Sequence, residues 1–286
     1  MSDPLITLSP SRIKRWVRCR KSYDWRYHQH LIRRRKELPP TLGLVVGTAL
    51  ATYYGSDPLI RDQSVMDKSL EQSSTFYQPT FLEGPHEPRR SSEWEKILKL
   101  SKALLSNYHE WISGKDSFEV ESIEKAYTIE LTPQIHLLAI PDAVVLQDES
   151  TLVFEHKVRY RYRPGDFGID YQSVGSCLVS HSIGTLYNIL VYSKPKLHRE
   201  LIIRSDIELN YFRRMFIHIG GDILSSEPKD MYPMPFKRCS CEYWELCNGE
   251  MTGLDLDDLI SELYLRQEKR PSETAMEPVV EEPPEE

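Results

Sequence analysis

The chain has 286 residues, 40% hydrophobic and 28% charged, an ordinary globular mix that excludes a collagen-like or wholly disordered protein. No stretch reaches the roughly 18 apolar residues of a membrane helix, and the opening MSDPLITLSPSRIKRW lacks the apolar run of a secretory leader, so a cytoplasmic protein that meets no membrane is expected. The net charge of −7 is a tail property: residues 251–286 hold eleven acids and three bases, while residues 11–36 hold eleven bases and one acid, Asp24.

Ser9-Pro10-Ser11 reads as a helix N-cap, with Ile13, Trp16 and Val17 at helical spacing behind it, and the helix is expected to run to about Tyr27. A second helix is expected over 44–54. Residues 56–92, rich in Ser, Pro, Asp and Arg, read as a long loop, and 93–113 as a helix carrying Ile97, Leu100, Leu104, Leu105 and Tyr108. The period then changes: strands are expected over 120–131, 135–146 and 151–159, a short helix over 170–181, a strand over 184–193 and a helix over 202–224. Helices flanking a central run of strands indicate an α/β or α+β core. The domain reading is one domain over 1–250, an acidic helix over 251–270 (periodic from Leu254 to Arg266) and a disordered acidic tail over 271–286, a segment with six acids, no bases and four prolines. That tail is the surface offered to a protein partner.

The most informative segment is IPDAVVLQDESTLVFEHKVRYRYR, residues 140–163. Gln147-Asp148-Glu149-Ser150 reads as a four-residue hairpin turn. It places Leu146 opposite Thr151 and, four pairs on, Asp142 opposite Glu155, with Lys157 on the same face. Opposed carboxylates repel unless one is protonated, a cation lies between them, or both face solvent. The bland alternative is an exposed hairpin with an ordinary ion pair, but the neighbours Leu137, Leu138, Ile140, Val144, Val145, Val153 and Phe154 are apolar. Hard oxygen ligands suit Mg²⁺ or Mn²⁺. Arg159, Tyr160, Arg161 and Tyr162 form a basic–aromatic stretch suited to a nucleic-acid strand, or an edge protected by charge. The basic segment 11–36, interleaved with Trp16, Tyr23, Trp25 and Tyr27, has the same two readings.

Three of the five cysteines, Cys239, Cys241 and Cys247, fall within nine positions. In a reducing compartment that clustering points to metal before disulfides. Cys177, in an apolar setting, reads as core packing.

Pro141-Asp142 followed by Glu155-His156-Lys157 resembles the PD-(D/E)XK nuclease signature. Leu8-Ser9-Pro10-Ser11-Arg12 with Cys19-Arg20-Lys21-Ser22-Tyr23 is similar to the opening of its RecB-like branch. Gly47-Thr48-Ala49 resembles the next helix of that branch, and Tyr171-Gln172 its glutamine motif. The late cysteines resemble the iron–sulfur branch, which includes CRISPR-adaptation nucleases and phage exonucleases. The resemblance covers residues 8–250 and implies a restriction-endonuclease-like α/β core, a mixed sheet flanked by helices, with an iron–sulfur-stapled helical region built from both ends of the chain. It implies a metal-dependent deoxyribonuclease, an exonuclease on single-stranded or end-processed DNA, in a bacterial or phage-infected cell. Asp142, Glu155 and the His156 backbone carbonyl would hold Mg²⁺ or Mn²⁺. Lys157 and Gln172 would position water or phosphate, while Arg33, Arg34, Arg35, Arg159, Arg161 and Tyr160 would hold DNA. Cys19, Cys239, Cys241 and Cys247 would hold a [4Fe–4S] cluster. The first spacing, Cys-x-Cys in place of Cys-x₂-Cys, keeps Zn²⁺ as the alternative. A second departure is Ala51, where the family usually has a metal-binding histidine. It leaves open a catalytically inactive nuclease-fold DNA-binding subunit. The third reading is a zinc-stapled protein-interaction module.

Overall fold

The structure is a computed structural model, and it describes residues 5–34, 38–82, 87–193, 196–233, 239 and 241–267. In chain order the elements are β1 (Ile6–Leu8), α1 (Pro10–Arg18), α2 (Arg20–Tyr23), β2 (Leu31–Arg33), α3 (Leu38–Gly55), α4 (Gln63–Leu82), α5 (Glu87–Ile112), β3 (Glu119–Ile123), β4 (Tyr127–Thr132) and β5 (Ile135–Ala139). Then come β6 (Ala143–Gln147), β7 (Ser150–Arg159), α6 (Tyr171–Ser180), β8 (Gly184–Val191), β9 (Lys196–Ile203), α7 (Asp206–Ser225), α8 (Trp244–Met251), α9 (Asp257–Leu263) and β10 (Tyr264–Arg266). The chain divides into two units, Met1–Lys14 with Arg35–Ser225, and Arg15–Arg34 with Ser226–Glu286. No described helix is long and apolar enough to cross a membrane.

The first unit is built on a five-stranded mixed sheet of order β3-β6-β7-β8-β9. β7 and β8 run parallel, joined by the crossover helix α6, and the remaining pairs are antiparallel. All eight residues of β8 are buried, as expected of a strand with both faces covered. Alternation divides β7 between two faces. Leu152 and Phe154 join Val45, Ala49 and Tyr54 of α3 and Leu104 and Tyr108 of α5 in the main core. Residues 153, 155 and 157 point the other way, toward the side lined by Tyr187 and Ile189 of β8. A three-stranded sheet, β1-β5-β4, completes the unit. Gly175 of α6 has a packing reason: a Cβ there would stand 2.7 Å from the Pro10 ring, so the missing side chain lets the start of α1 lie against α6.

Several expected elements change. The loop expected over 56–92 contains α4 and the first turn of α5. Its serines hide the helix: Ser69 and Ser73 are buried, and their hydroxyls donate to helix carbonyls, Ser69 Oγ to Val65 O (2.8 Å) and Ser73 Oγ to Val45 O of α3 (2.8 Å). Small hydroxyl residues thus fill the contact between α3 and α4, where the sequence suggested a loop. The helix expected over 202–224 begins only at Asp206, because 196–203 forms the edge strand β9, paired along its whole length with β8. The expected strand 120–131 divides at Glu124, which takes a positive φ of 44°.

In the second unit the helix expected to reach Tyr27 breaks at Cys19, whose backbone is extended and whose sulfur caps α2 by accepting from Ser22 N. A π-helical turn over Asp24–His28 follows. The acidic helix expected over 251–270 is the short α9 followed by β10, which pairs antiparallel with β2, so this region is not purely helical. Its core is small: Trp25, Leu31, Tyr243, Leu246, Cys247 and Tyr264.

Candidate active site

The β6–β7 hairpin turns tighter than expected. Gln147 pairs with Ser150, and only Asp148 and Glu149 form the loop, both with positive φ (48° and 63°), the type I′ geometry that suits a twisted hairpin. The register is the expected one, with Leu146 opposite Thr151 and Ala143 opposite Phe154. Asp142, however, lies just before β6 and outside the ladder, so it does not face Glu155 as a ladder pair. Instead, its Oδ2 accepts from the His156 main-chain N–H (2.7 Å).

Glu155 is buried and contacted from the side by Lys157 and Gln172. Lys157 Nζ donates to Glu155 Oε2 (3.0 Å) and to Gln172 Oε1 (2.8 Å), while Gln172 Nε2 donates to Glu155 Oε2 (3.2 Å). Gln172 is delivered by the first turn of α6, which Asp170 caps through its Oδ1 on Gln172 N (3.2 Å). Asp170 was missed in the sequence. Its Oδ2 stands 3.9 Å from Lys157 Nζ and accepts from Tyr187 OH (3.4 Å). The available signal was an Asp directly before a helix start, the N-cap pattern.

The electrostatics follow from this geometry. Burial, then the negative charge of Asp142, pushes the Glu155 carboxyl up to about 8, against the pull of Lys157. Burial also acts to raise Asp142, but hydrogen bonding and charge from His156, with Lys157, leave it below the ordinary carboxylate value. Burial acts to lower Lys157, and the carboxylates of Glu155, Asp170 and Asp142 outweigh it, so its ammonium is held charged. One carboxylate of the pair is short of positive charge, the situation a divalent cation relieves. The carboxylates of Asp142 and Glu155 are hard oxygen donors of the kind a divalent cation such as Mg²⁺ accepts.

Beyond the end of β7, Tyr160 is exposed and packs edge-on against Tyr192 (5.5 Å). The Arg161 guanidinium lies over the Tyr160 ring (5.4 Å), and that of Arg159 over Phe167 (5.5 Å).

In the second unit, much of the basic segment is used internally. Arg15 pairs with Glu242 (2.7 Å), Lys21 with Glu250 (2.7 Å) and Arg33 with Glu245 (2.9 Å). The one acid, Asp24, is buried against Lys21, His28 and Gln29. Arg18, Arg20 and Arg34 remain exposed, whereas Arg35 lies outside the described residues.

The Cys247 thiol lies in electrostatic reach of Cys19, Cys241 and Cys239. Burial raises the Cys247 thiol to about 11, with further contributions from Cys19, Cys241 and Cys239, and Cys241 is raised by burial and by Cys239. Three sulfurs accept N–H donors at 3.4 Å: Cys19 from Ser22 N, Cys241 from Tyr243 N and Cys247 from Trp25 Nε1. Even so, among the described residues no three His, Cys, Asp or Glu side chains are gathered closely enough to hold an ion as they stand. Cys177 belongs to the first unit, buried and 3.3 Å from Thr185 Oγ1.

No curated protein matches the sequence significantly. Among solved structures, a protein of Eubacterium rectale provisionally described as an exonuclease superposes with a TM-score of 0.52 at 11% identity, covering 85% of this chain and 87% of its own. That likeness speaks to the fold alone. A second structure, SSO0001, aligns over 88% of this chain and 87% of its own at 11% identity, with a TM-score of 0.34. The sequence profile of the PD-(D/E)XK nuclease superfamily matches residues 7–174, a span that contains Asp142, Glu155, Lys157 and Gln172, and the chain belongs to that superfamily.

Proposed function

We propose that the protein is a Mg²⁺- or Mn²⁺-dependent deoxyribonuclease of the RecB-like branch, an exonuclease hydrolysing phosphodiester bonds in single-stranded or end-processed DNA. The observation that carries this reading is the Lys157 ammonium, tied to both Glu155 and Gln172 beside the Asp142–Glu155 pair. Held by Asp142, Glu155 and the His156 carbonyl, the metal supplies Lewis acidity at the phosphate and an acidified water. Lys157 has three ammonium protons. Two are directed to Glu155 and Gln172, and the third has no hydrogen-bond acceptor among the described residues, Asp170 being 3.9 Å away. That proton is the one available to a phosphate oxygen as negative charge develops. Gln172 orients the ammonium. The exposed Tyr160 ring and the Arg159 and Arg161 guanidiniums offer stacking and phosphate contacts to a strand in the first unit. In the second unit, Arg34 is the better phosphate contact than Arg33, which Glu245 engages.

For the second unit we propose a [4Fe–4S] cluster on Cys19, Cys239, Cys241 and Cys247, with Zn²⁺ as the alternative occupant. The N–H donors on three of the sulfurs support this, since thiolate sites are tuned by such bonds. The acidic tail is proposed as a partner-binding segment, and the cell compartment as the cytoplasm of a bacterial or phage-infected cell.

The test is hydrolysis by protein purified without oxygen. Linear, flapped and single-stranded DNA should be degraded with Mg²⁺ or Mn²⁺, and EDTA should stop it. Protein that binds DNA in a salt-dependent way yet cuts none of these would establish the second reading, the inactive DNA-binding subunit that Ala51 favours.

A further inference from the structure

The catalytic strand carries a polar residue on its core side. His156, between Glu155 and Lys157, turns its imidazole into the space between the sheet and helices α3 and α5, where its side chain is 4% exposed. Phe154 and Tyr54 pack around the ring, at centroid distances of 4.6 and 5.5 Å. A buried polar group costs free energy unless it is hydrogen-bonded, and this one opens a network drawn from five elements and the loop after α5. His156 Nε2 lies 3.2 Å from Tyr108 OH. Asn188 Nδ2 of β8 donates to Tyr108 OH (2.6 Å), and Tyr54 OH lies 2.7 Å from the same oxygen. Tyr54 OH donates to Asp116 Oδ2 (2.7 Å). Arg199 of β9 closes the network, donating to Asn188 Oδ1 (2.8 Å) and to Asp116 Oδ1 (2.6 Å).

Counting protons fixes the direction of each bond. Asp116 only accepts, so the Tyr54 proton goes to it. The short Tyr54–Tyr108 contact then needs the Tyr108 proton, and the Tyr108 oxygen is left to accept from Asn188 and from His156 Nε2–H. The network therefore fixes the ring position and requires a proton on Nε2.

The other end of His156 meets the proposed site. Its Nδ1 stands 3.6 Å from Asp142 Oδ2, too long for a good hydrogen bond, whereas its main-chain N–H donates to the same oxygen at 2.7 Å. The ring is thus anchored in the core, and the peptide it anchors holds the Asp142 carboxylate through its N–H. We propose that His156 is a positioning residue: its imidazole, locked through Tyr108 to Tyr54, Asn188, Arg199 and Asp116, fixes the β7 main chain that orients Asp142 and presents Glu155 and Lys157. This rests on the nuclease reading above. It adds that the accuracy of the site is set from the core side of the sheet, by side chains that touch neither DNA nor metal.

The test uses His156→Phe and Tyr108→Phe in the full chain, with Mn²⁺ binding measured calorimetrically in the absence of DNA, alongside DNA affinity and turnover. H156F keeps the ring packing and removes the anchor. Mn²⁺ affinity should fall about tenfold, the scale of losing an outer-shell partner, with DNA affinity within twofold of wild type. Y108F should move the same quantity by a smaller factor. The double variant should be no worse than H156F, since both cut one connection. Should H156F fail to fold, Y108F, which deletes a single oxygen, decides alone: weakened Mn²⁺ binding supports the proposal and unchanged binding overturns it. Wild type that binds Mn²⁺ and cuts DNA while both variants match its Mn²⁺ affinity overturns the positioning role only. Wild type that neither binds Mn²⁺ nor cuts DNA overturns the nuclease reading and this proposal with it.

Discussion

The two units present the same chemical problem with opposite structural support. Each holds candidate ligands that repel one another once ionised, two carboxylates in the first and, in the proposal above, four thiols in the second. In the first unit the scaffold is a five-stranded sheet, with β7 hydrogen-bonded to β6 and β8 and covered by α3 and α5. Its carboxylates have protein donors: His156 N for Asp142, Lys157 and Gln172 for Glu155. In the second unit six residues make the core, one of them a candidate ligand, Cys247. A small core usually needs a staple. On this contrast, a metal bound in the first unit would serve chemistry and one bound in the second would serve folding.

The largest effect should therefore come from the cysteines. Where a site does not exist in the unfolded chain, metal-binding free energy is folding free energy, on the order of 10 kcal/mol for structural sites. Cys19→Ala, Cys239→Ala, Cys241→Ala and Cys247→Ala should each lose bound iron and sulfide and lower the melting temperature, while Cys177→Ala keeps the metal content. Stoichiometric zinc without iron would replace the cluster and keep the contrast. Four variants that melt like wild type would remove it.

The next effect is on rate and leaves the fold intact. Asp142→Ala, Glu155→Ala and Lys157→Ala should each cut turnover by about 10²–10³, the scale of losing one preorganised electrostatic contact, and combined losses should not add. The melting temperatures of the two carboxylate variants should stay near wild type or rise, while Lys157→Ala, which removes the cation beside buried Glu155, should lower it. Unfolding of these variants would show that the carboxylate site also holds the fold.

A smaller effect separates the sites by pH. Glu155 is raised from an ordinary 4.5 to about 8, so the folded protein binds a proton that the unfolded chain releases. Its contribution to metal-free stability is fully present below about pH 4.5 and is lost as pH rises toward 8. Glu155→Gln should flatten that decline, raising stability at pH 8 by on the order of 1 kcal/mol or more. Mn²⁺ binding near pH 6.5 should release a proton from wild type, seen as a buffer-dependent heat, and not from the Gln variant. Equal proton release from both would place the titrating group elsewhere.

What the sequence made legible follows the same division. The hairpin register could be derived because a turn fixes pairing over a few residues, and it survived a change of loop length since Gln147 and Ser150 simply became the last pair. Lys157 and Gln172 were reachable by alternation and motif. The position of Asp142 outside the ladder and the surroundings of the His156 ring were not, the latter because they depend on Tyr108 of α5 and Asn188 of β8. Helix α4 was hidden by serines whose burial only α3 explains. The clustering of Cys239, Cys241 and Cys247 was visible in their spacing, whereas the proposed fourth ligand, Cys19, more than 200 residues earlier, was suggested by the family resemblance alone. The basic segment shows the reverse failure: its charge count was correct, yet Glu242, Glu245 and Glu250 from the far end of the chain engage Arg15, Arg33 and Lys21.

The smallest expected effect is a gain, and it probes how complete the carboxylate site is. Residue 51 lies on α3 one turn before Tyr54, and positions three apart share a helix face. The Tyr54 ring lies 5.5 Å from the His156 ring, so that face of α3 is turned toward β7, whose His156 N–H donates to Asp142. An imidazole at 51 would offer a nitrogen ligand where Ala51 offers none, at the position the superfamily resemblance assigns to a histidine. Ala51→His should lower the Mn²⁺ concentration for half-maximal rate by a few-fold, with Mn²⁺ gaining more than Mg²⁺ because imidazole suits the softer ion. The maximal rate should change little, since Lys157 and Gln172 are untouched. Wild-type Mn²⁺ dependence in the variant would show that Asp142, Glu155 and the His156 carbonyl suffice, and that the departure at Ala51 is neutral. A raised requirement would show that α3 packs too closely there to admit a side chain larger than a methyl group.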